Sequence, residues 1–251
     1  MEFKTIQATS IKSTFEVLKD ILNDVNIYFN KDGIQLLTLD TARVALIDLN
    51  FSAENFEEYN FNQHSEISAG FNILNTYKLL KCISNNDILT ASISSGDFFK
   101  INIQNKQKNS SSEFKLKLLD IDEDKIQKPD IKMDCVTTIP SIDFQRICRD
   151  MNNFASDVYI TRENDKFIIE CEGDYANQKT VIECVDDNKF TGKIKGKYSL
   201  KYLTLFTKAT GLCSIVQIMQ EIDNRFLVLK YNIANLGEIK FYLATKIDED
   251  Q

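Results

Sequence analysis

The residues that could do chemistry in this chain are scattered along it. The only histidine is His64, which lies in a polar stretch. A zinc site needs thiolates or imidazoles at short spacing, and most serine or cysteine nucleophiles need a histidine base. The sequence therefore predicts no structural metal and no cofactor, and it leaves His64 as the only histidine base. The cysteines form no CxxC pair and are expected to be reduced thiols; they stand at positions 82, 135, 148, 171, 184 and 213.

An acidic stretch is the second candidate for chemistry. Asp120, Asp122 and Asp124 stand close together, and converging carboxylates could hold Mg²⁺ in a nuclease. Neighbouring acids in an extended chain alternate sides, however, and no His, Ser or further acid constellation accompanies them. We therefore expect an extended surface connector between two domains, and a metal-dependent hydrolase is the less favoured alternative.

Positive charge concentrates on four predicted helices, at 9–22, 71–83, 141–153 and 199–211. These helices carry eight basic and four acidic residues in a chain whose net charge is −7. The basic residues come in pairs three or seven positions apart, which places each pair on one helical face. Such a surface neutralises phosphates without reading bases. The residues expected to form it are Lys12, Lys19, Lys78, Lys81, Arg146, Arg149, Lys201 and Lys208.

The elements that must position these residues repeat along the chain. Each half has the order strand, helix, strands, helix, strands. The pair Asp32-Gly33 predicts a tight hairpin turn in the first half. An internal repeat of this length indicates two stacked copies of one α+β unit. The predicted domains span 1–119 and 134–251, and a connector at 120–133 joins them.

The overall composition excludes several classes of protein. The chain is 43% hydrophobic and 27% charged over 251 residues, which rules out a mostly disordered protein. No stretch approaches the roughly 18 apolar residues of a membrane span. The first residues lack the basic and apolar regions of a secretory signal. We therefore expect a protein that stays inside a cell and has no membrane partner.

Five segments carry recognisable motifs. One is Phe-Gln-Arg-Ile-Cys-Arg-Asp at 144–150, and the others lie at 81–82, 116–122, 201–210 and 240–248. In combination and in collinear order, they resemble the eukaryotic DNA sliding clamp family of proliferating cell nuclear antigen. The resemblance covers essentially the whole chain. It implies the α+β DNA-clamp fold, in which two similar domains each pack two helices on antiparallel sheets and subunits form a ring.

The resemblance also implies a function. It is that of a non-enzymatic DNA polymerase processivity factor, a homotrimeric ring that encircles double-stranded DNA without sequence specificity. The implied partners are DNA, a clamp loader, two further copies of the chain, and polymerase and other replication or repair proteins that bring clamp-binding peptides. The implied location is the nucleus, or a viral replication site if the gene is viral. The family's DNA-facing positions carry over onto the basic residues named above, except Lys201.

Two protein-docking sites are implied by the same resemblance. A partner-peptide groove beneath the connector maps to Leu39, Arg43, Val44, Leu46, Ile126, Phe226, Tyr242 and Ala244. The subunit joint pairs an edge strand at 113–118 with one at 177–183, because pairing removes sticky edges. Its residues are Phe114, Leu116, Leu118, Asn177, Thr180 and Ile182.

A second function remains open beside the homotrimeric ring. The chain could be a monomeric or heteromeric accessory clamp, including a subunit of a checkpoint-type ring, that binds DNA through one basic face. The oligomeric state in solution separates the two functions.

Overall fold

The fold is known from a computed structural model, which describes residues 1–94, 97–123, 125–184 and 190–247. The chain divides into two units, and each takes a short segment from the other half of the sequence. The first unit consists of Met1–Thr41, Asp48–Gln127 and Asn232–Ile239. The second unit consists of Ala42–Ile47, Lys128–Tyr231 and Lys240–Gln251.

In the described part of the first half, the chain forms two α-helices, a short 3₁₀ helix (Ala53–Asn55) and nine strands. Helix α1 (Ala8–Leu18) and helix α2 (Ile73–Leu80) pack against each other. Apolar residues spaced three or four apart give α1 a buried stripe that includes Ile11, Phe15 and Leu18. The strands are β1 (Glu2–Thr5), β2 (Asp24–Asn30), β3 (Gly33–Leu39), β4 (Ala45–Ser52), β5 (Glu58–Asn60), β6 (Ile67–Asn72), β7 (Ile88–Ser92), β8 (Phe98–Asn105) and β9 (Ser110–Lys117).

The second half repeats this plan. Helix α3 (Ser141–Met151) packs against α4 (Leu200–Phe206) and against the 3₁₀ turn Thr207–Gly211 that follows α4. The stripe that α3 buries includes Phe144, Ile147 and Met151. The strands are β10 (Cys135–Pro140), β11 (Asp157–Glu163), β12 (Lys166–Glu172), β13 (Asn177–Glu183), β14 (Lys193–Ser199), β15 (Ile215–Gln220), β16 (Phe226–Ile233) and β17 (Gly237–Ala244).

The strand order shows which strands lie at the edges of the sheets. In the first unit, five antiparallel strands have the order β5-β1-β7-β8-β9, and β4-β3-β2-β6 are neighbours in that order. In the second unit, four antiparallel strands have the order β13-β12-β11-β14, and β10-β15-β16-β17 are neighbours in that order. Strands β9 and β13 are therefore edge strands, as are β5 and β14 at the other ends of the same two sheets.

Aromatic clusters form the centre of each unit. In the first unit, the ring centroids of Phe71 and Phe99 lie 5.1 Å apart in an edge-to-face arrangement. Phe3 and Phe56 form a second pair at 5.0 Å. In the second unit, Phe206 at the end of α4 stacks on a β17 phenylalanine with centroids 4.7 Å apart. Such pairs add about 0.5–1.5 kcal/mol to the free energy of burial alone, so they help to fix each helix pair on its sheet.

The helix boundaries differ from the prediction where a strand runs directly into a helix. The predicted start of the second helix at residue 71 is wrong, because Ile67–Asn72 is strand β6 and the Asn72 side chain caps α2 by accepting from the Asn75 backbone N–H at 2.9 Å. The predicted fourth helix, 199–211, is α4 followed by a 3₁₀ turn. Strand β14, which leads into it, was not predicted.

One predicted turn depends on a glycine. Gly33 has a φ of +141°, and a side chain there would clash with the Phe51 carbonyl oxygen. Asn30 stabilises the turn by accepting from the backbone N–H groups of Asp32 (2.9 Å) and Gly33 (3.1 Å). The hairpin predicted at Asp32-Gly33 is thus present, between β2 and β3.

Candidate functional site

The basic residues of α1 are partly occupied by contacts within the first unit. Lys12 is half-buried, and its ammonium group donates to the Ile83 carbonyl at 2.7 Å. Lys19, just after α1, pairs with Asp20 at 2.9 Å, and its Nζ lies 5.3 Å from the centre of the Tyr77 ring. These two lysines add positive charge to the helix pair, but their ammonium groups are already in contact with other residues and are less available to a ligand than the sequence suggested.

Helix α2 presents the most accessible cations of the first unit. Lys78 lies in its last turn and Lys81 is its C-cap residue; both are exposed, and neither has an ion pair among the described residues. A cation near a helix C-terminus interacts favourably with the helix dipole. Next to them, Tyr77 donates to Glu16 of α1 at 2.9 Å, and this hydrogen bond raises the pKa of Tyr77.

The helix pair of the second unit carries exposed cations of two kinds. On α3, Arg146 pairs with Asp143 at 3.2 Å and Arg149 with Asp150 at 3.6 Å, and all four side chains are substantially exposed. Exposed pairs contribute only about 0–1 kcal/mol, so these arginines can exchange partners at little cost. Lys201 on α4 and Lys208 on the 3₁₀ turn are also exposed. All eight residues predicted to face phosphates thus lie on or beside the helix pairs.

Most of the predicted groove residues lie in the second unit. The Ala244 backbone N–H donates to the Val44 carbonyl at 3.2 Å, which joins the segment 42–47 to the end of β17. Tyr242 and Leu46 are only 5% and 7% exposed, while Val44, Phe226 and Ala244 are half-buried. A ligand on this surface would therefore reach Val44 and Phe226 more easily than the two buried residues.

The remaining groove residues are placed as follows. Arg43 is exposed and has a φ of +57°, an unusual backbone conformation for a non-glycine residue. In the first unit, Leu39 at the end of β3 is 37% exposed, and Ile126 is half-buried. The acidic C-terminal residues 248–250 lie outside the described residues.

The predicted joint residues lie on or next to the edge strands β9 and β13. Phe114 and Leu116 lie on β9 and are half-buried, as is Leu118 just after it. On β13, Thr180 and Ile182 are half-buried and Asn177 is exposed. In both edge strands the half-buried residues alternate with exposed ones, so each edge has one inner and one outer row of side chains.

The connector is fastened to the first unit, which the sequence did not predict. The Leu119 backbone N–H donates to the Gly70 carbonyl at 2.9 Å, and the Asn26 amide donates to the Ile121 carbonyl at 3.0 Å. A side chain at residue 70 would clash with the Leu119 carbonyl, so only glycine permits this approach. The one sequence signal of this close approach was the glycine itself.

Lys125 completes the attachment of the connector. Its ammonium group lies 2.6 Å from a Glu66 carboxylate oxygen and 4.6 Å from the centre of the Tyr28 ring. Burial alone would raise the pKa of Glu66, but hydrogen bonds from Lys125 and Asn30 hold it below its ordinary value. The connector is thus held by one charged contact as well as by backbone hydrogen bonds.

The described residues hold no evident metal site: no three His, Cys, Asp or Glu side chains among them come together as metal ligands. Of the three aspartates considered for a nuclease, Asp124 lies outside the described residues. None of the described helices has the length and apolar character needed to cross a membrane. The cysteines are free, and Cys135 and Cys148 are buried.

The β8–β9 hairpin carries positive charge that sequence reasoning missed. Between Phe98 and Lys117 the chain has a single acidic residue, Glu113. It has five lysines, all exposed, and Lys100 lies directly opposite Lys115 in the strand pairing. Counting charge over whole hairpins as well as over helices would have found this region. The lysines are Lys100, Lys106, Lys108, Lys115 and Lys117.

Known protein families match both halves of the chain. The N-terminal domain of proliferating cell nuclear antigen matches residues 1–127, and its C-terminal domain matches residues 127–246. A protein of Paramecium bursaria Chlorella virus 1, named "Probable DNA polymerase sliding clamp 1", is 37% identical over 251 residues. The match covers 96% of this chain and 95% of that protein.

Two helix pairs on antiparallel sheets, matched in succession by two clamp domains, define an α+β protein of the DNA-clamp class. The chain belongs to the proliferating cell nuclear antigen family. The family resemblance and the fold class predicted from sequence are confirmed. The boundary between the two matched domains falls at residue 127, inside the connector predicted at 120–133, whose exact limits remain a prediction.

Proposed function

We propose that the protein is a DNA polymerase processivity clamp: a non-enzymatic homotrimeric ring that encircles duplex DNA and tethers replication and repair proteins to it. The observation that carries this proposal is the repetition of a helix pair with exposed cations in each of two similar units. Membership of the clamp family over both halves of the chain supports it. The similar viral protein is itself named as a polymerase sliding clamp.

The helix cations would hold DNA by its phosphates. Lysine and arginine side chains that neutralise phosphates release counterions, so binding weakens steeply with salt and does not depend on sequence. We assign the largest share of phosphate binding to Lys78 and Lys81, which are exposed and have no ion pair among the described residues, and to Arg146 and Arg149 of α3. Lys12 and Lys19 would act mainly through the local field.

A charge-reversal experiment tests the DNA surface. In the double variant Lys78→Glu/Lys81→Glu, polymerase stimulation on long templates should be lost, and the salt slope of DNA binding should fall by about 0.9 for each phosphate contact removed. The matched control is Lys31→Glu/Lys106→Glu, which changes the net charge equally at exposed positions away from the helices. Equal loss in both double variants would contradict the proposed surface.

The ring itself is tested by mass in solution. A homotrimer has three times the subunit mass of 28.9 kDa, and light scattering across micromolar concentrations measures it. A head-to-tail contact between two different surfaces closes into a ring when the rotation between subunits permits. A mass of 28.9 kDa at all concentrations would instead support the alternative, a monomeric or heteromeric accessory clamp.

The half-buried surface around Val44 and Phe226 would hold partner peptides. A helical turn bearing one aliphatic and two aromatic side chains suits such a surface, and a few anchors usually carry most of the binding energy. We expect calorimetry with a short polymerase-tail peptide to give micromolar or better affinity. Phe226→Ala should weaken it about tenfold, or about 1.4 kcal/mol.

The control for the groove is Ile6→Ala, which removes an apolar side chain that is 61% exposed on the first unit. It should leave peptide affinity unchanged. No detectable heat with the unmodified trimer would mean that partners dock elsewhere. We further propose that a clamp loader places the ring on DNA, and that the ring acts at the site of replication in the nucleus or in a viral factory.

A further inference from the structure

The sheet edges formed by β9 and β13 carry opposite charge. The β8–β9 hairpin, Phe98 to Lys117, has five lysines and one glutamate. The β12–β13 hairpin, Lys166 to Glu183, has two lysines and four acidic residues. Edges with opposite charge attract each other and resist pairing with copies of themselves. Strand β9 of one subunit is therefore suited to β13 of the next, which rests on the ring proposed above.

The pleat of the two strands restricts how they can align. On β9 the odd-numbered residues are exposed and Phe114 and Leu116 are half-buried; on β13 the odd-numbered residues are exposed and the even-numbered ones half-buried. A shift of one residue would bring the half-buried side chains of one strand beside the exposed side chains of the other. The acceptable registers therefore differ by steps of two residues. Every strand pair whose register is described in this protein is antiparallel, and purely antiparallel sheets are over-represented in proteins, so we take the joint to be antiparallel as well.

Three antiparallel registers obey this rule and pair at least five residues of each strand. They align 110–115 with 177–182, 111–117 with 177–183, or 113–117 with 179–183. The second puts Lys115 opposite Lys179. The third puts Glu113 opposite Glu183 and Lys117 opposite Lys179. Like charges directly opposite each other destabilise a strand pair.

We propose that charge selects the first register, in which Glu113 of one subunit lies opposite Lys179 of the next. This register contains no like-charge pair among its directly opposed residues. Lys115 then lies opposite Asn177, whose neighbour across the next strand is Glu172. Glu113 and Lys179 thus act as the residues that specify the subunit joint.

Contacts already present on each edge extend this pairing into a row of charges. Lys179 lies 3.1 Å from Glu170, which also lies 3.5 Å from Lys195; these lysines hold the pKa of Glu170 below its ordinary value. On the other edge, Glu113 lies 3.9 Å from Lys115. In the proposed register, the joined edges carry a row of alternating charge, made of Lys195, Glu170, Lys179 and Glu113.

The test exchanges the two charges. Glu113→Lys and Lys179→Glu, each alone, place like charges opposite each other, and we expect the concentration for half-dissociation of the trimer to rise about tenfold. The double variant Glu113→Lys/Lys179→Glu restores an opposite pair and should return it to within about twofold of the original protein. In 1 M salt, where the Debye length is about 3 Å, the differences should largely vanish. Light scattering or sedimentation of the full chain measures each value.

Other variants separate the competing registers. Lys115→Glu should strengthen the joint only in the second register, and Glu113→Lys should strengthen it only in the third. Lys106→Glu, an equal charge change in the hairpin turn, should have little effect. A trimer that tolerates both single variants would overturn the inferred register while leaving the ring intact. An unmodified chain that is monomeric would instead overturn the proposed ring.

Discussion

The attachment of the connector gives a sharp prediction for Gly70→Ala. A Cβ atom at residue 70 would clash with the Leu119 carbonyl and meet the Ile121 side chain at 3.0 Å. The connector has to move off strand β6, and two hydrogen bonds go with it: Leu119 N–H to Gly70 O and the Asn26 amide to Ile121 O. Because the connector can move away from β6, the loss of stability is set by the broken hydrogen bonds and not by the energy of the clash.

The magnitude follows from those two bonds. Each contributes about 1 kcal/mol net, so the free energy of unfolding of the first unit should fall by about 2 kcal/mol. For a chain of this size, that lowers the melting temperature by about 4–8 °C. The Leu119 amide should also exchange its hydrogen much faster, since it loses its acceptor. Thermal unfolding and hydrogen exchange measure the two effects on the same variant.

Gly211→Ala is the matched control. No atom lies within 4 Å of a Cβ built at this residue, and its φ lies outside the left-handed region. Its stability should stay within about 0.5 kcal/mol of the original protein, as for ordinary surface substitutions. If Gly70→Ala leaves both the melting temperature and Leu119 exchange unchanged, the connector is not held as described.

Three further predictions concern titration and thiol reactivity. Because the pKa of Glu66 is lowered in the folded protein, the Glu66–Lys125 ion pair stabilises the fold at neutral pH, and this stabilisation is lost as pH falls through the folded-state pKa. The variant Glu66→Gln should therefore be less stable than the original protein at neutral pH and equally stable in acid. Burial, with Asp32 nearby, raises the pKa of Tyr59 to about 12. The contribution of Tyr59 to stability is therefore complete below a pH of about 10 and is lost as pH rises through about 12. Tyr59→Phe should remove this alkaline transition in a spectroscopic titration. Exposed Cys82 should react with a thiol reagent in the native protein, whereas Cys148, which is buried and whose pKa burial raises, should react only on unfolding, as mass spectrometry would reveal.

Much of the fold could be predicted because its signals are local. The apolar stripes of α1 and α3 and the Asp32-Gly33 turn follow from spacing and from glycine's access to positive φ. Strands β6 and β14 were missed because each runs straight into a helix and its polar and small residues give little apolar alternation. Their partners, distant in sequence, decide that they are strands.

The candidate site could be predicted less completely than the fold. The helix spacing correctly put the cations on the helix pairs, but nothing local shows that Lys12 donates to the Ile83 carbonyl, 71 residues away. Arg162 is similar: it is only 2% exposed inside β11, held by the Asn164 carbonyl at 2.9 Å and the Thr137 hydroxyl at 3.0 Å. Long-range acceptors of this kind decide whether a basic side chain is structural or available to a ligand.

The available cations are arranged in a way that suits a protein that must move along DNA. Arg146 and Arg149 each have an acidic partner on their own helix, so a phosphate would replace a contact instead of adding one, and the net gain would be small. Lys78 and Lys81 offer flexible point charges in place of the planar fork with which arginine fixes a phosphate in two directions. In the proposed ring, weak, exchangeable contacts of both kinds would hold duplex DNA without fixing its register, and the ring, rather than affinity, would keep the protein on its template.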